Sequence, residues 1–564
     1  MHKLSIKKTT SKGIVIGRAF LYKPAEIKAD TKTISQSSVQ EELGRFKDAV
    51  IKAKEQIAAL SKISEIFMAH LDVADDPVLH DSVEKKITKE CKNAELSVEE
   101  TSFEIVSLFE TTGNKFLMER AHDVCDVCIR IIKCLKGLNN VDFHDITDQV
   151  ILVAHDLKPS DTASLNKEHV LGMITASGGE TSHVAIMARN LDIPAIVGVE
   201  GIDDIVSHGS SLILDAVDGT IILDPDGPTI EEYKSRKLAY DERKLAFSAL
   251  KGLPATTLDG HTVGLSINVG SIRDVQNSQQ YGINKVGLMR SEFLYMEGTN
   301  FPTEDEQVAA YKASVQIATG GLIVRTMDIG GDKDLPYFQL QVEENPFLGF
   351  RGIRLSLGLP DLFKTQLRAI LRASAFGKIR ILYPMITTLE ELKAANAVLE
   401  TAKKELEADN IAFDSEIQKG VMIETPAAVL IADELAKEAD YFSIGSNDLT
   451  QYVLVVDRGN LKVAALYDPF NPAVLRAIKM TIDAGHRNNI KVHLCGAMAG
   501  NENAIPILLG LGLDDFSMSG SLIPEARFII RNTDYSKARV MANHAVGLST
   551  GKEVRDLLDR FKES

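Results

Sequence analysis

Three rhythms of apolar and polar positions follow one another along the chain. Residues 1–22 give a short strand-like start, with Ile14-Val15-Ile16 set between Gly13 and Gly17. From about 39 to 138 apolar residues recur three and four apart with few glycines, the spacing of amphipathic helices. Within that region 49–63, 83–87 and 116–138 read as parts of long helices, and the whole predicts a helical hairpin or bundle inserted into another domain. Strand and helix signals then alternate at 150–154, 170–175, a helix at His183, 212–215 and 220–223, predicting a compact α/β unit. A charged, weakly apolar run at 229–250, bounded by Pro225-Asp226-Gly227-Pro228 and Gly252-Leu253-Pro254, reads as a linker helix.

Beyond His261 the rhythm becomes one of short β-rich runs separated by helical segments, at 263–267, 286–289, 322–324, 379–383, 421–423, 441–444 and 492–494. Roughly eight such β/α units predict a TIM (β/α)8 barrel, with an open parallel sheet as the other arrangement the pattern allows. The fold class expected is therefore a multidomain α/β protein. Its parts are an α/β domain (1–22 plus 139–226), an inserted helical bundle (23–138), a linker helix (227–254) and a C-terminal barrel (255–564).

Composition narrows the functional classes. A length of 564 residues with 45% hydrophobic content supports several cores. The formal charge of −16 disfavours a nucleic-acid partner and suits a basic protein one; any anion site must be a local cluster of arginines. No apolar run approaches the roughly 20 residues a membrane helix requires, and no signal-peptide pattern follows the N-terminal lysines, so a cytoplasmic location without membrane insertion is expected. The five cysteines form no disulfide framework; Cys125 and Cys128 have CxxC spacing but fall within one helical run with no second ligand pair, which favours core thiols over zinc ligands.

Candidate chemistry falls in two places. In Ser177-Gly178-Gly179-Glu180-Thr181-Ser182-His183 a glycine turn hands over to an apolar, helix-forming stretch. A histidine there can accept a phosphoryl group, whose charge the starting helix would stabilise. The plainer reading makes Thr181 or Ser182 an N-cap with His183 in the first turn. In the barrel, catalysis belongs to residues just past the C-terminal strand ends. Arg290 follows 286–289, Arg325 follows 322–324, Glu424 follows 421–423, Asn447 and Asp448 follow 441–444, and Cys495 follows 492–494; Arg458 comes from the connection after Asp448. Each has a bland alternative, such as a solvated strand end, a helix-cap neighbour or a core thiol, but independent accidents would not gather at one end of each strand. Guanidiniums, an amide, two carboxylates and a thiol suit a small, doubly anionic ligand with a divalent metal.

The stretch 178–189 resembles the phosphohistidine signature GGxTSHxAIxAR of the phosphoenolpyruvate-utilising enzymes. From Ser11-Lys12-Gly13 onward the whole chain is similar to the Enzyme I family of the bacterial sugar phosphotransferase system. The resemblance implies transfer from phosphoenolpyruvate to Nε2 of His183 and then to a histidine of the phosphocarrier protein HPr, with release of pyruvate. It implies phosphoenolpyruvate binding by Arg290, in Gly287-Leu288-Met289-Arg290-Ser291-Glu292-Phe293, and by Arg325, in Val324-Arg325-Thr326-Met327-Asp328, with Asn447 and Arg458 completing the site. Glu424 and Asp448 are the implied Mg2+ ligands, Lys333 and Arg351 further charges around the phosphate, and Cys495 the proton donor to enolpyruvate. The resemblance also implies that the helical insert holds HPr and that the barrels pair in a homodimer.

Two positions depart from the family pattern: Val184 stands where threonine is common, and Ala497 where Cys-Gly-Glu has its carboxylate. They leave open a catalytically weak regulatory or interaction protein that binds a phosphocarrier. A pyruvate dikinase or phosphoenolpyruvate synthase shares both motifs but needs a nucleotide-binding domain, for which the helical insert is too short.

Overall fold

The computed structural model describes the chain apart from residues 1, 7–8, 24–32, 62–65, 112–114, 139–145, 147, 158–164, 166–167, 180–181, 192, 297–299, 332–334, 336, 339–340, 342, 461 and 564. The chain divides into two compact units, Met1–Arg243 and Lys244–Ser564.

The first unit is built on an eight-stranded sheet that draws strands from both sides of a helical segment. Its strands are β1 (His2–Ser5), β2 (Thr9–Ser11), β3 (Ile14–Tyr22), β4 (Val150–Ala154), β5 (Val170–Thr175), β6 (Ala195–Ile196), β7 (Ser211–Asp215) and β8 (Thr220–Leu223), in the spatial order β1-β8-β7-β3-β4-β5-β6-β2. β3 through β6 run parallel, which requires crossovers and leaves both faces covered. The apolar run 150–154 shows how: Ile151 and Val153 pack with Leu212 and Leu214 on one face, while Val150 and Leu152 pack on the other against Val184, Ala185 and Ala188. The latter three lie on helix α6 (His183–Leu191), which therefore covers the second face. The intervening helices are α1 (Val39–Ser61), α2 (Ile66–Ala74), α3 (Pro77–Lys89), α4 (Ala94–Thr111) and α5 (Lys115–Lys136). They share a core of their own around Phe46, Ile57, Val83, Ile87, Val98 and Ile131, in which the Cys128 thiol is buried. Residues 62 and 63 of the expected 49–63 helical run lie outside the described residues. Helix α7 (Gly227–Ala249) covers nearly all of the helical run expected at 229–250, and along it Tyr233 is the buried residue.

In the second unit a two-residue strand, β9 (Ala255–Thr256), leads into eight parallel strands: β10 (Thr262–Val269), β11 (Lys285–Arg290), β12 (Gly321–Arg325), β13 (Ile379–Tyr383), β14 (Gln418–Ile423), β15 (Tyr441–Ile444), β16 (Lys491–Leu494) and β17 (Asp515–Met518). β17 pairs with β10, closing the sheet into a barrel and excluding the open parallel sheet. The eighth strand, Asp-Phe-Ser-Met, carries no apolar run. Asp515 and Ser517 bond inward instead, to Ser266 and Asn268 of β10. Several flanking helices announce themselves locally: Thr303, Thr388 and Thr550 each form a reciprocal capping box with the glutamate three residues on.

Candidate active site

Parallel closure places all the residues after the strands at one end of the barrel. Arg290 and Arg325 end neighbouring strands and face each other in the ladder. Glu424 directly follows β14, Cys495 directly follows β16, and Asn447 and Asp448 lie in the first turn of the helix Ser446–Leu454 that follows β15. Between β15 and that helix stands Gly445, where a Cβ would come within 2.5 Å of Glu424 Oε2; the position has room for the carboxylate only because it has no side chain.

Arg325 is buried and already engaged by protein carboxylates. Its Nη2 donates to Glu292 Oε1 and its Nη1 lies 3.1 Å from Asp328 Oδ2. Arg351, also buried, donates to both oxygens of Asp328 at 3.2 and 3.3 Å and to the Tyr452 hydroxyl at 3.3 Å, with Asp448 Oδ1 at 3.6 Å. Burial opposes each guanidinium's charge, yet the neighbouring carboxylates raise its pKa above the ordinary value, so both stay cationic. Glu424 is the converse: burial, with Asp448 and Asp328 nearby, raises its pKa, and Arg325 and Arg351 only partly offset this. Its Oε1 accepts the Met385 N–H at 2.7 Å. Met385 holds φ at +57°, a left-handed conformation that costs roughly 1–3 kcal/mol and is sustained here by burial.

The Cys495 thiol is buried among Leu288, Ile323, Leu382, Met422 and Tyr441. Burial pushes its pKa up to about 11, against the opposing pull of the Ser443 hydroxyl and of Arg325 and Arg290. The thiol is thereby held in its protonated form. Asn447 accepts the Ala497 N–H at 3.0 Å, and Ala497 itself is exposed. Arg458 is exposed; its N–H donates to Gln451 Oε1 at 3.3 Å and its charge acts on Tyr467, whose hydroxyl reaches the Asn447 carbonyl. Thus Arg290, Arg325, Arg351, Glu424, Asn447, Asp448 and Cys495 gather at one mouth, with Arg458 on its rim.

Lys333 lies outside the described residues. His183 belongs to the other unit, where it opens α6. Gly178, at φ +99°, makes the turn before it, and Ser182 Oγ accepts the Ala185 N–H at 3.3 Å. Ser182 therefore caps the helix as the plainer reading expects, which leaves His183 at the first helical position. Val184 is turned into the apolar core under the sheet. Glu292, Asp328, Met385 and Tyr452 were not singled out from sequence. Two arginines inside an apolar barrel were the available signal, because a buried cation requires a partner.

Family models of the phosphoenolpyruvate-utilising enzymes match three parts of the chain: the N-terminal part (residues 8–120), the mobile domain (146–219) and the phosphoenolpyruvate-binding domain (245–535). Fold and matches together define a phosphoenolpyruvate-utilising enzyme. A phosphoenolpyruvate-protein phosphotransferase of Haemophilus influenzae is 43% identical over 98% of this chain and 98% of its own. Those of Bacillus subtilis and Mycoplasma capricolum are 44% identical (96% of this chain, 97% of the relative) and 42% identical (98% and 97%). The chain belongs to the phosphoenolpyruvate-protein phosphotransferase family.

Proposed function

We propose that this protein takes the phosphoryl group of phosphoenolpyruvate onto His183, passes it to a histidine of HPr and releases pyruvate, as the first step of the sugar phosphotransferase system. The observation that carries this reading is the barrel mouth, where Arg290, Arg325 and Arg351 gather with Glu424, Asp448 and the protonated Cys495 thiol at the C-terminal ends of the strands. Arg290, Arg325 and Arg458 bind its phosphate and carboxylate, with Arg351 and Lys333 as further charges and Asn447 as a polar contact. A His183 ring nitrogen, assigned as Nε2 by family likeness, attacks phosphorus; the bond from phosphorus to the enol oxygen breaks, leaving enolpyruvate. The Cys495 S–H then protonates the methylene carbon, giving pyruvate, and the thiolate regains its proton from solvent. Catalysis here is mostly positioning and charge stabilisation.

Glu424 and Asp448 fit a divalent cation. Asp448 disfavours the charge of the buried Glu424, and Mg2+ prefers a few such carboxylate ligands plus substrate oxygens. Among the described residues no group of three or more His, Cys, Asp or Glu side chains could hold a metal, so substrate oxygens would complete the shell. Bound Mg2+ would neutralise charge on the phosphoryl oxygens.

Residues 1–22 and 139–226 serve as the phosphohistidine domain, 23–138 as the HPr-binding insert, 227–254 as the linker and 255–564 as the substrate and dimerisation domain. The shared sheet of β3 and β4 supports the first grouping. Carrier histidine and donor site lie on different domains, so a reorientation separates the half-reactions, with hinges near 226–228 and 252–254. The expected setting is the cytoplasm; among the described residues no helix is long and apolar enough to cross a membrane. To test the reading, the protein is incubated with Mg2+ and phosphoenolpyruvate and its acid-labile phosphate mapped by mass spectrometry, with His183→Ala as control. Phosphate on His183 that moves to added HPr supports it; an unmodified His183 despite bound phosphoenolpyruvate refutes it.

A further inference from the structure

The end of the barrel opposite Cys495 has chemistry of its own. There the strand starts enclose a cavity of about 330 Å3 lined by the charged Lys285, Arg380, Lys491, Asp514 and Asp515 and by His493. The two carboxylates are already satisfied. Asp515 Oδ2 pairs with Lys285 at 2.5 Å and its Oδ1 accepts from Ser266; Asp514 Oδ2 meets His486 Nε2 at 3.0 Å and the Val492 N–H at 2.8 Å. The remaining cations are not. Among the described residues neither Arg380 nor Lys491 has a carboxylate partner, and the Arg380 guanidinium lies over the Tyr441 ring, 5.6 Å from its centroid.

His493 adds an independent sign. Its side chain is 1% exposed, it lines the cavity, and its Nδ1 has no hydrogen-bond partner among the described residues. A buried polar nitrogen left unmade costs about 1–3 kcal/mol, so such a group points to something absent. Burial lowers its pKa to about 4, with Asp515 opposing the shift and Lys285 and Arg380 adding to it. The ring is therefore neutral near pH 7 and offers one N–H to an oxygen without adding charge.

A guanidinium and an ammonium without carboxylate partners, beside a neutral ring nitrogen whose nearest carboxylate oxygen, Asp515 Oδ1, is 4.0 Å away, give this cavity a local excess of positive charge in a chain of formal charge −16. The volume is that of a small-molecule site. The catalytic residues lie past the other ends of the same strands: Lys491 and His493 belong to β16, which Cys495 follows. Nothing in the phosphoryl transfer uses this end. We propose that the cavity at the strand starts binds a small phosphate-bearing anion, separately from phosphoenolpyruvate in the mouth.

Equilibrium dialysis of the full chain with radioactive inorganic phosphate, with and without excess phosphoenolpyruvate in metal-free buffer, tests the proposal. One phosphate per chain is expected to resist displacement by phosphoenolpyruvate. Lys491→Gln should weaken that site at least tenfold, and Arg380→Gln with Lys491→Gln should abolish it, while His183 phosphorylation measured without added phosphate stays within twofold. Lys491 is exposed, so its substitution does not put folding at risk. Displacement of all bound phosphate by phosphoenolpyruvate, or a Lys491→Gln affinity within twofold of the parent, would overturn it. A parallel arm with glucose 6-phosphate separates the two sources of the chemistry. Competition below the phosphate concentration identifies a phosphate ester as the ligand, and its absence identifies the free ion.

Discussion

Asp328→Asn tests whether the guanidiniums of the mouth are held ready by protein carboxylates that the substrate displaces. The side chain touches Arg325 at 3.1 Å and Arg351 at 3.2 and 3.3 Å, with all three residues buried. The amide keeps the shape but removes the charge and turns N–H groups toward one of the guanidiniums. Breaking a buried pair costs about 3–5 kcal/mol. Arg325 keeps Glu292 and Arg351 keeps Asp448 at 3.6 Å, so the loss should fall near the lower figure, about 3 kcal/mol. An anion in the mouth would then meet less competition. Tenfold tighter phosphate binding there returns about 1.4 kcal/mol at saturation. Urea-dependent hydrogen exchange of the β12 and β14 amides, at low and high phosphate, reads both quantities. A loss below about 1 kcal/mol, or a deficit that widens with phosphate, would refute the reasoning.

Gly445→Ala forces Glu424 aside, costing about 1–3 kcal/mol and weakening Mg2+ more than fold stability alone explains, as a Mg2+ titration of His183 phosphorylation would register. Cys495→Ala should slow pyruvate release roughly 10²–10⁴-fold. In the parent the thiol's pKa is raised to about 11, so the proton donor persists through pH 9–10 and is lost only as pH climbs through about 11; a pH profile of pyruvate release with its alkaline limb near 9 would contradict this. The same shift makes the stabilising share of this group, complete below the ordinary thiol pKa, fade as pH rises toward 11. Ser182→Ala removes the cap of α6 and should cost about 1 kcal/mol, seen as faster amide exchange at Ala185. Ala497→Glu, at an exposed site, should leave stability within about 0.5 kcal/mol while its charge near Cys495 alters the pH profile of pyruvate release; an unchanged profile would show that the missing carboxylate does not matter here.

The barrel mouth was legible because the strands that carry its residues are apolar runs and the reactive residue comes at or just after their ends. Arg325 and Glu424 could be named from that boundary alone. Asp328 and Glu292 could not, because they look like ordinary surface charges until their burial beside arginines is known. Met385 owes its role to a backbone conformation that no residue type announces. The strand Asp515–Met518 escaped for a related reason: the barrel interior near its start is polar, so the apolar signal that marks the other strands is missing. The turn before His183 was readable because glycine, hydroxyl cap and helix former stand in order along the chain.

The strand β3 has a consequence for synthesis. It lies between β7 and β4, and Arg18 finds its partners at Ser211 and Val150. A ribosome adding about 5–20 residues per second needs on the order of ten seconds to make the nearer of them. Throughout that interval the bundle α1–α5 has the local contacts to fold, while an apolar strand upstream waits with both edges open. Such a strand is a template for mispairing. The newly made N-terminal segment is therefore where holding chaperones would be needed, and where slowed translation of 39–138 would lower yield before any change in the finished enzyme.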